Sequence, residues 1–327
     1  MTTKEYVLRL LEEHKGSPLS GSQIAAKLGV SRAAVWKAVQ SLLDCGYPIT
    51  AANNRGYCLE ATSDILSRES ILPYLHNPAF YPEIRVLDSV DSTNQEAKKR
   101  AHNGAPSGTV ILAEQQTAGR GRLGRSFFSP AGSGIYLSVV FRLDFSIDVS
   151  LLLTSAAAVA VCRAIRSVTG LEAQIKWVND IYLDGKKICG ILTEASMNFE
   201  NQQLEYLVVG IGINVRTGSF PPEVEKVATA LEPHLEGRRI SRSELIGAVL
   251  NELETVLKQL ENQDFLEEYR ERSFVLGKRI SVITPQEIYP AVAQALNNQG
   301  HLIVQREDNG ETAVLNTGEI SIRRLEA

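Results

Sequence analysis

Three arginines, Arg120, Arg122 and Arg125, fall within six residues, interleaved with Gly121 and Gly124 and preceded by Gly119, with no acid among them, in a chain whose formal net charge is −4. Glycine lets the backbone bend tightly and lie close to a ligand, and guanidinium groups grip phosphate or carboxylate through charge-assisted hydrogen bonds. An anion-gripping loop is the favoured reading, with a solvated surface loop as the alternative. The same glycines satisfy G-x-G-x-x-G, a dinucleotide pattern that carries meaning only between a strand and a helix. Val110–Ala113 can supply the strand, but the residues after Gly124 run through the turn-rich segment Phe127–Gly134 into a second strand, Ile135–Phe141. No helix is expected there, which argues against a dinucleotide fold.

Two lysines extend the cationic set. Lys176 stands beside Trp177 at a strand end, and Lys187 opens the return strand of a hairpin. With Arg120 and Arg122 they can converge on one anionic reaction centre, although a lysine at a sheet edge also suits solvent. Asp91-Ser92-Thr93-Asn94 precedes Glu96, and Thr93-x-x-Glu96 has capping-box spacing. A plain cap explains these residues, while free N–H groups at a helix start can equally meet a polar ligand. Gly210-Ile211-Gly212-Ile213-Asn214 allows close approach of a ligand or a packed neighbour. The histidines show no metal-ligand spacing. Cys45, Cys58, Cys162 and Cys189 form no C-x-x-C pair, so neither a zinc site nor a redox motif is expected.

The elements that must position these groups begin with a small N-terminal module. Val7, Leu10 and Leu11 have helical spacing over residues 3–14. Ser20 caps a second helix, Gly21–Leu28, stopped by Gly29, and Ser31 caps a third, Arg32–Asp44. Segments 48–51 and 56–59 pair as a hairpin, completing a winged helix-turn-helix. Residues 1–60 hold seven Lys and Arg against five Asp and Glu, a balance of +2, leaving −6 for the remainder. DNA affinity is dominated by cationic phosphate contacts, so one such module binds modestly. Ser31, Arg32 and Lys37 on the third helix and Arg55 at the wing tip are the candidate DNA contacts; protein contact is the alternative use.

After a proline-broken connector, strands alternate with a helix near 151–168, and Asp184-Gly185 marks a tight hairpin. Hairpins between successive strands imply a mostly antiparallel or mixed sheet. A capped amphipathic helix over 242–262 and a short helix near 265–272 follow, and then strands at 279–283, 291–295, 301–304 and 319–322 that read as a small SH3-like barrel. The fold class is α+β. The expected divisions are 1–62 for the winged module, 63–80 for the connector, 81–273 for a catalytic domain and 274–327 for the barrel. The N-terminus has no apolar signal core, and the most apolar stretch, Leu151–Cys162, is too short to span a bilayer. A cytoplasmic protein with no membrane partner is expected, its thiols reduced.

Taken in order, these motifs, with Gln116–Arg125, Phe127-Phe128-Ser129-Pro130, Lys176–Asp180, Lys187–Leu192, Gly210–Asn214 and Gly318–Ser321, resemble the bifunctional biotin–protein ligases that also act as biotin-operon repressors. The resemblance covers essentially the whole chain. It implies a catalytic domain related to class II aminoacyl-tRNA synthetases and lipoate ligases, without the Gly-Gly-Gly substrate motif of the latter. It implies formation of biotinoyl-5′-AMP from biotin and MgATP, then transfer of biotin to a lysine of the biotin carboxyl carrier protein of acetyl-CoA carboxylase, and an adenylate-bound homodimer that represses transcription on operator DNA. Biotin-site positions are then Ser92, Thr93, Asn94, Gln116, Gly119, Arg120, Arg122, Tyr136, Lys176 and Gly190. Nucleotide-side positions are Arg122, Arg125, Phe127, Phe128, Asn179, Lys187 and Asn214. The catalytic set is Lys176, Arg122 and Arg120, and no residue is assigned as a protein-held metal ligand; ATP, Mg²⁺ and biotin enter as substrates and their ion. Two departures, Val178 where many members have proline and Leu123 where some have a basic residue, supply no chemistry.

Overall fold

The computed structural model describes residues 2–52, 56–142, 152–197, 204–218, 220–284, 286–316 and 319–321. The chain divides into two compact units, Met1–Pro78 with Ser241–Gly247, and Ala79–Ile240 with Ala248–Ala327.

In the first unit, local chemistry sets each helix start. Helix α1, Thr3–Glu13, opens on a capping box between Thr2 and Glu5. Helix α2, Gly21–Leu28, opens on a second box between Ser20 and Gln23 and ends at Gly29, whose φ of 65° is the left-handed conformation glycine adopts without strain. Helix α3, Arg32–Asp44, starts where the Ser31 hydroxyl accepts from the Ala34 N–H. Strands β1, Ile49–Ala52, and β2, Gly56–Leu59, pair antiparallel. Val7, Leu11, Ile24, Val35, Val39, Leu42 and Leu59 share one core. Burying α3 by Val35, Ala38, Val39 and Leu42 leaves its opposite face, including Arg32, Trp36 and Lys37, to solvent. A short helix α4, Arg68–Ile71, completes this stretch. Arg242, buried, donates from Nε to Asp64 Oδ2 at 2.7 Å, fastening residues 241–247 to the unit.

The second unit is built on a seven-stranded sheet in the order β3-β4-β5-β9-β8-β7-β6. Its strands are β3 (Ile84–Val90), β4 (Val110–Gln116), β5 (Gly134–Phe141), β6 (Gln174–Lys176), β7 (Asp180–Leu183), β8 (Lys186–Met197) and β9 (Leu204–Asn214). Among the described strands of this sheet only β3 and β4 pair in parallel, joined through helix α5, Thr93–His102. Ala97 and Ala101 seat α5 on Ile111, Val140 and Val208. Helix α6, Leu153–Thr169, is buried along most of its length and contacts β7, β8 and β9. Asp184 and Gly185 both take positive φ, 48° and 76°, as a two-residue hairpin turn requires. After α7 (Pro222–Glu225), α8 (Arg242–Lys258) and α9 (Phe265–Arg272), five strands form an antiparallel sheet in the order β13-β12-β11-β10-β14. They are β10 (Arg279–Ile283), β11 (Ile288–Leu296), β12 (Leu302–Arg306), β13 (Thr312–Leu315) and β14 (Glu319–Ser321).

Two expectations are corrected. Thr93 is not the cap of α5: Ser92 holds the cap position without a side-chain capping bond, and Thr93 is the first helical residue. A tertiary partner takes its place, because the Thr93 N–H and hydroxyl both donate to Gln116 Oε1, at 2.9 and 3.1 Å. Strand β13 was not expected. It is only four residues long and buries Leu315 alone, so it gives no strong alternation to read. Its register against β12 is supplied by pairing instead.

Candidate active site

One face of the large sheet, the start of α5 and the arginine loop enclose a cleft of about 740 Å³, within the range of small-molecule sites. Among the described residues, six cationic side chains line it, Arg120, Arg122, Arg125, Lys176, Lys187 and Lys226, against a single carboxylate, Asp180. That carboxylate is paired with Lys187 Nζ at 2.6 Å. A positive cleft in a chain of net negative charge focuses the field on an anionic ligand.

One part of the lining is a cluster of hydroxyls and amides. Ser92, Thr93 and Asn94 come from the start of α5, where helix N–H groups are free of intrahelical partners, and Gln116 from the end of β4. The Asn94 amide nitrogen donates to Leu192 O at 3.1 Å and Glu194 Oε2 at 2.9 Å, while its oxygen accepts from Ser138 at 2.6 Å. A Cβ on Gly210 would lie 2.0 Å from that oxygen, so this strand position must be glycine. Lys98 Nζ, 2.8 Å from Glu194 Oε1, closes the network. Buried polar groups held this way present fixed donors and acceptors to a ligand.

Another part is aromatic and glycine-lined. A Cβ on Gly212 would lie 2.5 Å from the Phe127 ring, and one on Gly190 would lie 3.4 Å from it. Phe128 packs edge-on against Phe220 at 6.4 Å between ring centroids. Asn179 accepts from Arg122 Nη1 at 3.3 Å and donates to Ile191 O at 2.6 Å, bracing the arginine against β8. Asn214, almost buried, donates to Thr229 O at 3.0 Å. Lys176 Nζ sits 5.7 Å from the centroid of the Tyr182 ring. Its strand is held by the next residue, Trp177, whose indole N–H donates to Gly300 O at 3.0 Å. The arginine loop is bonded to itself: the Gly121 N–H donates to Arg125 O at 2.7 Å and the Phe127 N–H to Gly119 O at 2.9 Å.

The four cations whose convergence the sequence left open, Arg120, Arg122, Lys176 and Lys187, all line this one cleft. Ser92, Thr93, Asn94, Gln116, Arg125, Phe127, Phe128, Asn179, Gly190 and Asn214 join them there. Gly119 and Tyr136 do not line it. Gly119 underlies the loop, where a Cβ would meet Phe127 O at 2.3 Å. Tyr136 is buried beneath Phe127, rings at 6.4 Å, with its hydroxyl donating to Pro130 O at 2.9 Å. Sequence reasoning missed the segment of Phe220, Val224, Val227 and Ala228, which lines the cleft without any motif. Burial pushes the Cys189 thiol well up and the Cys162 thiol to about 12, so both stay protonated and unreactive.

The comparisons agree with this geometry. Residues 86–214 match the Biotin/lipoate A/B protein ligase family, residues 3–58 a helix-turn-helix domain family, and residues 275–323 the Biotin protein ligase C terminal domain. The Bifunctional ligase/repressor BirA of Bacillus spizizenii is 37% identical over 251 residues, 76% of each chain. The chain belongs to the family of bifunctional biotin protein ligase/repressors. Within that family, BirA of Escherichia coli is 29% identical over 310 residues, 94% of each chain. The biotin protein ligase of Aquifex aeolicus, solved in complex with biotin and ATP, superimposes with a TM-score of 0.62 at 28% identity, covering 74% of this chain and 99% of that one. The Leishmania major ligase, solved with biotinyl-5-AMP, gives 0.51 at 26% identity, covering 72% and 98%.

The Aquifex chain is covered to 99% by 74% of this chain, whereas BirA of Escherichia coli aligns with 94% of it, a span that must include part of the N-terminal module. Of the candidate DNA contacts, Ser31 caps α3, and Arg32 and Lys37 are exposed on it; Arg55 lies outside the described residues. Trp36, between them and 54% exposed, was not singled out from the sequence. No described helix is long and apolar enough to cross a membrane.

Proposed function

We propose that the chain activates biotin with MgATP to biotinoyl-5′-AMP and transfers biotin to a lysine of the biotin carboxyl carrier protein of acetyl-CoA carboxylase. The adenylate-bound homodimer represses transcription by binding operator DNA through the winged module. The protein works in the cytoplasm. The observation that carries the enzymatic reading is a single cleft lined by a hydroxyl–amide cluster, an aromatic–glycine cluster and, among the described residues, six cations. Biotin's neutral ureido ring needs donors and acceptors, which Ser92, Thr93, Asn94 and Gln116 provide. The adenosine part fits the wall of Phe127, Phe128, Asn179 and Asn214.

In the first step the biotin carboxylate oxygen bonds to the α-phosphorus and pyrophosphate leaves. Bringing two anions to about 4 Å costs roughly 4 kcal/mol per charge pair at an effective dielectric near 20. Lys176, Arg120 and Arg122 offset that cost and hold the charge that develops as the reaction proceeds. Mg²⁺ bound to the triphosphate adds charge neutralisation. Among the described residues lining the cleft the one carboxylate is Asp180, which suits a metal carried in by ATP. In the second step the carrier lysine amine attacks the acyl carbon, AMP leaves, and the amine proton passes to solvent. No side chain is needed as a covalent nucleophile.

The test is mass spectrometry of a carrier domain incubated with biotin, MgATP and the protein. The reading requires one biotinoyl mass addition on a lysine, dependent on all three; an unmodified carrier would refute it. ATP–pyrophosphate exchange that depends on biotin separates a ligase from a sensor that merely binds.

A further inference from the structure

Ser129 lies in the Phe127–Pro130 motif, is 4% exposed, and does not line the cleft. It nevertheless joins two parts of the site. Its Oγ accepts from Gln116 Nε2 at 2.8 Å and donates to Phe127 O at 2.9 Å. Main-chain groups whose roles cannot reverse fix both ends of this chain of bonds. The Thr93 N–H can only donate, so the Gln116 atom 2.9 Å from it must be the oxygen. The Phe127 carbonyl can only accept, so the Ser129 proton points to it and the Ser129 oxygen must accept from the Gln116 nitrogen. Between them these two groups determine the amide orientation, which at most glutamines is a matter of assignment.

The consequence is chemical. The Gln116 oxygen already has two donors, the Thr93 N–H and hydroxyl. Its nitrogen has one hydrogen on Ser129 and one remaining. What Gln116 can offer to a ligand in the cleft is therefore an N–H donor, and the matching ligand atom is an acceptor.

We infer that Ser129 is a positioning residue that locks the Gln116 amide as a donor toward the ligand head, so that the site selects a carbonyl oxygen over an N–H-bearing group at that point. The inference rests on the biotin-activating reading. Its acceptor is the ureido oxygen, and the loop base enters through the Phe127 carbonyl, which also lies beside the Phe127 N–H bond to Gly119 that closes the arginine loop.

The test compares biotin with 2-iminobiotin, whose guanidino group replaces the carbonyl oxygen with an N–H donor. Pyrophosphate exchange is measured for the wild type, Ser129→Ala and Ser129→Thr. Ser129→Ala should raise KM for biotin about tenfold with kcat within about threefold, and should shrink the preference for biotin over 2-iminobiotin by a similar factor. Ser129→Thr, which keeps the hydroxyl, should restore both. Ser129→Val against Ser129→Thr, a pair of equal shape differing in the hydroxyl, gives the same comparison if Ser129→Ala does not fold. An unchanged biotin-to-iminobiotin ratio in the variants lacking the hydroxyl, or equal loss in Ser129→Thr, overturns the inference. Absence of biotin-dependent exchange in the wild type would instead overturn the reading on which it rests.

Discussion

Lys176 is placed by its neighbours. It ends the three-residue strand β6, and Trp177 anchors the next position through Gly300 O. Removing the lysine side chain therefore leaves the strand's attachment intact while deleting a fixed charge from the cleft. Lys176→Ala should slow single-turnover adenylate formation about 10²- to 10³-fold with the unfolding midpoint nearly unchanged; a near-normal rate in the folded variant would remove Lys176 from the chemistry. Gly212 makes the complementary case for space. A methyl there would lie 2.5 Å from the Phe127 ring, so Gly212→Ala should displace the ring and raise KM for ATP severalfold more than KM for biotin. Equal effects on both substrates would show that Phe127 does not serve the nucleotide. The charged residues of the site were legible because arginines among glycines are informative by type. Gly119 and Tyr136, biotin-site positions by resemblance, lie beneath the lining rather than in it: a sequence does not distinguish a residue that lines a cavity from one buried directly beneath the lining.

Elements show a parallel division. The caps at Ser20 and Ser31 were readable because their partners lie within three residues, and the box between Thr2 and Glu5 has the same spacing. Thr93 defeated the same rule because its partner, Gln116, is 23 residues away. The hairpin at Asp184-Gly185 was legible from turn chemistry, whereas β13 depends on pairing with β12. For the loop over residues 117–128, the self-bonded backbone brings three arginines together without an acid in the segment. Mutual repulsion favours opening, and a bound anion relieves it. Hydrogen exchange in this loop should slow on adding biotin and MgATP, and unchanged exchange would argue against ligand-driven ordering. On α3, Trp36 presents 54% of its surface beside Arg32 and Lys37, while the other tryptophan, Trp177, is 4% exposed. Duplex DNA should therefore shield Trp36 from iodide quenching of its fluorescence. Shielding that is absent when DNA is bound would place the DNA on another face.

For the whole molecule, the charge distribution constrains how repression can work. The first sixty residues carry a balance of only +2 and the remainder −6. A single winged module neutralises few phosphates, and each phosphate contact contributes to both affinity and its salt dependence. Tight binding then needs two copies held at the spacing of two half-sites. If the adenylate favours the dimer, linkage requires that the dimer bind the adenylate more tightly than the monomer does. Discharge of the adenylate to carrier protein should accordingly release the DNA, so that the operator is free while unbiotinylated carrier remains. Footprinting on the candidate operator, with sedimentation at matched protein concentrations, checks this directly. Biotin with MgATP should raise both dimer fraction and occupancy, and excess unbiotinylated carrier should lower both together. Occupancy equally strong without ligand would show that catalysis and repression are uncoupled in this chain, whereas dimerisation without a gain in occupancy would show that two modules in one particle are not enough.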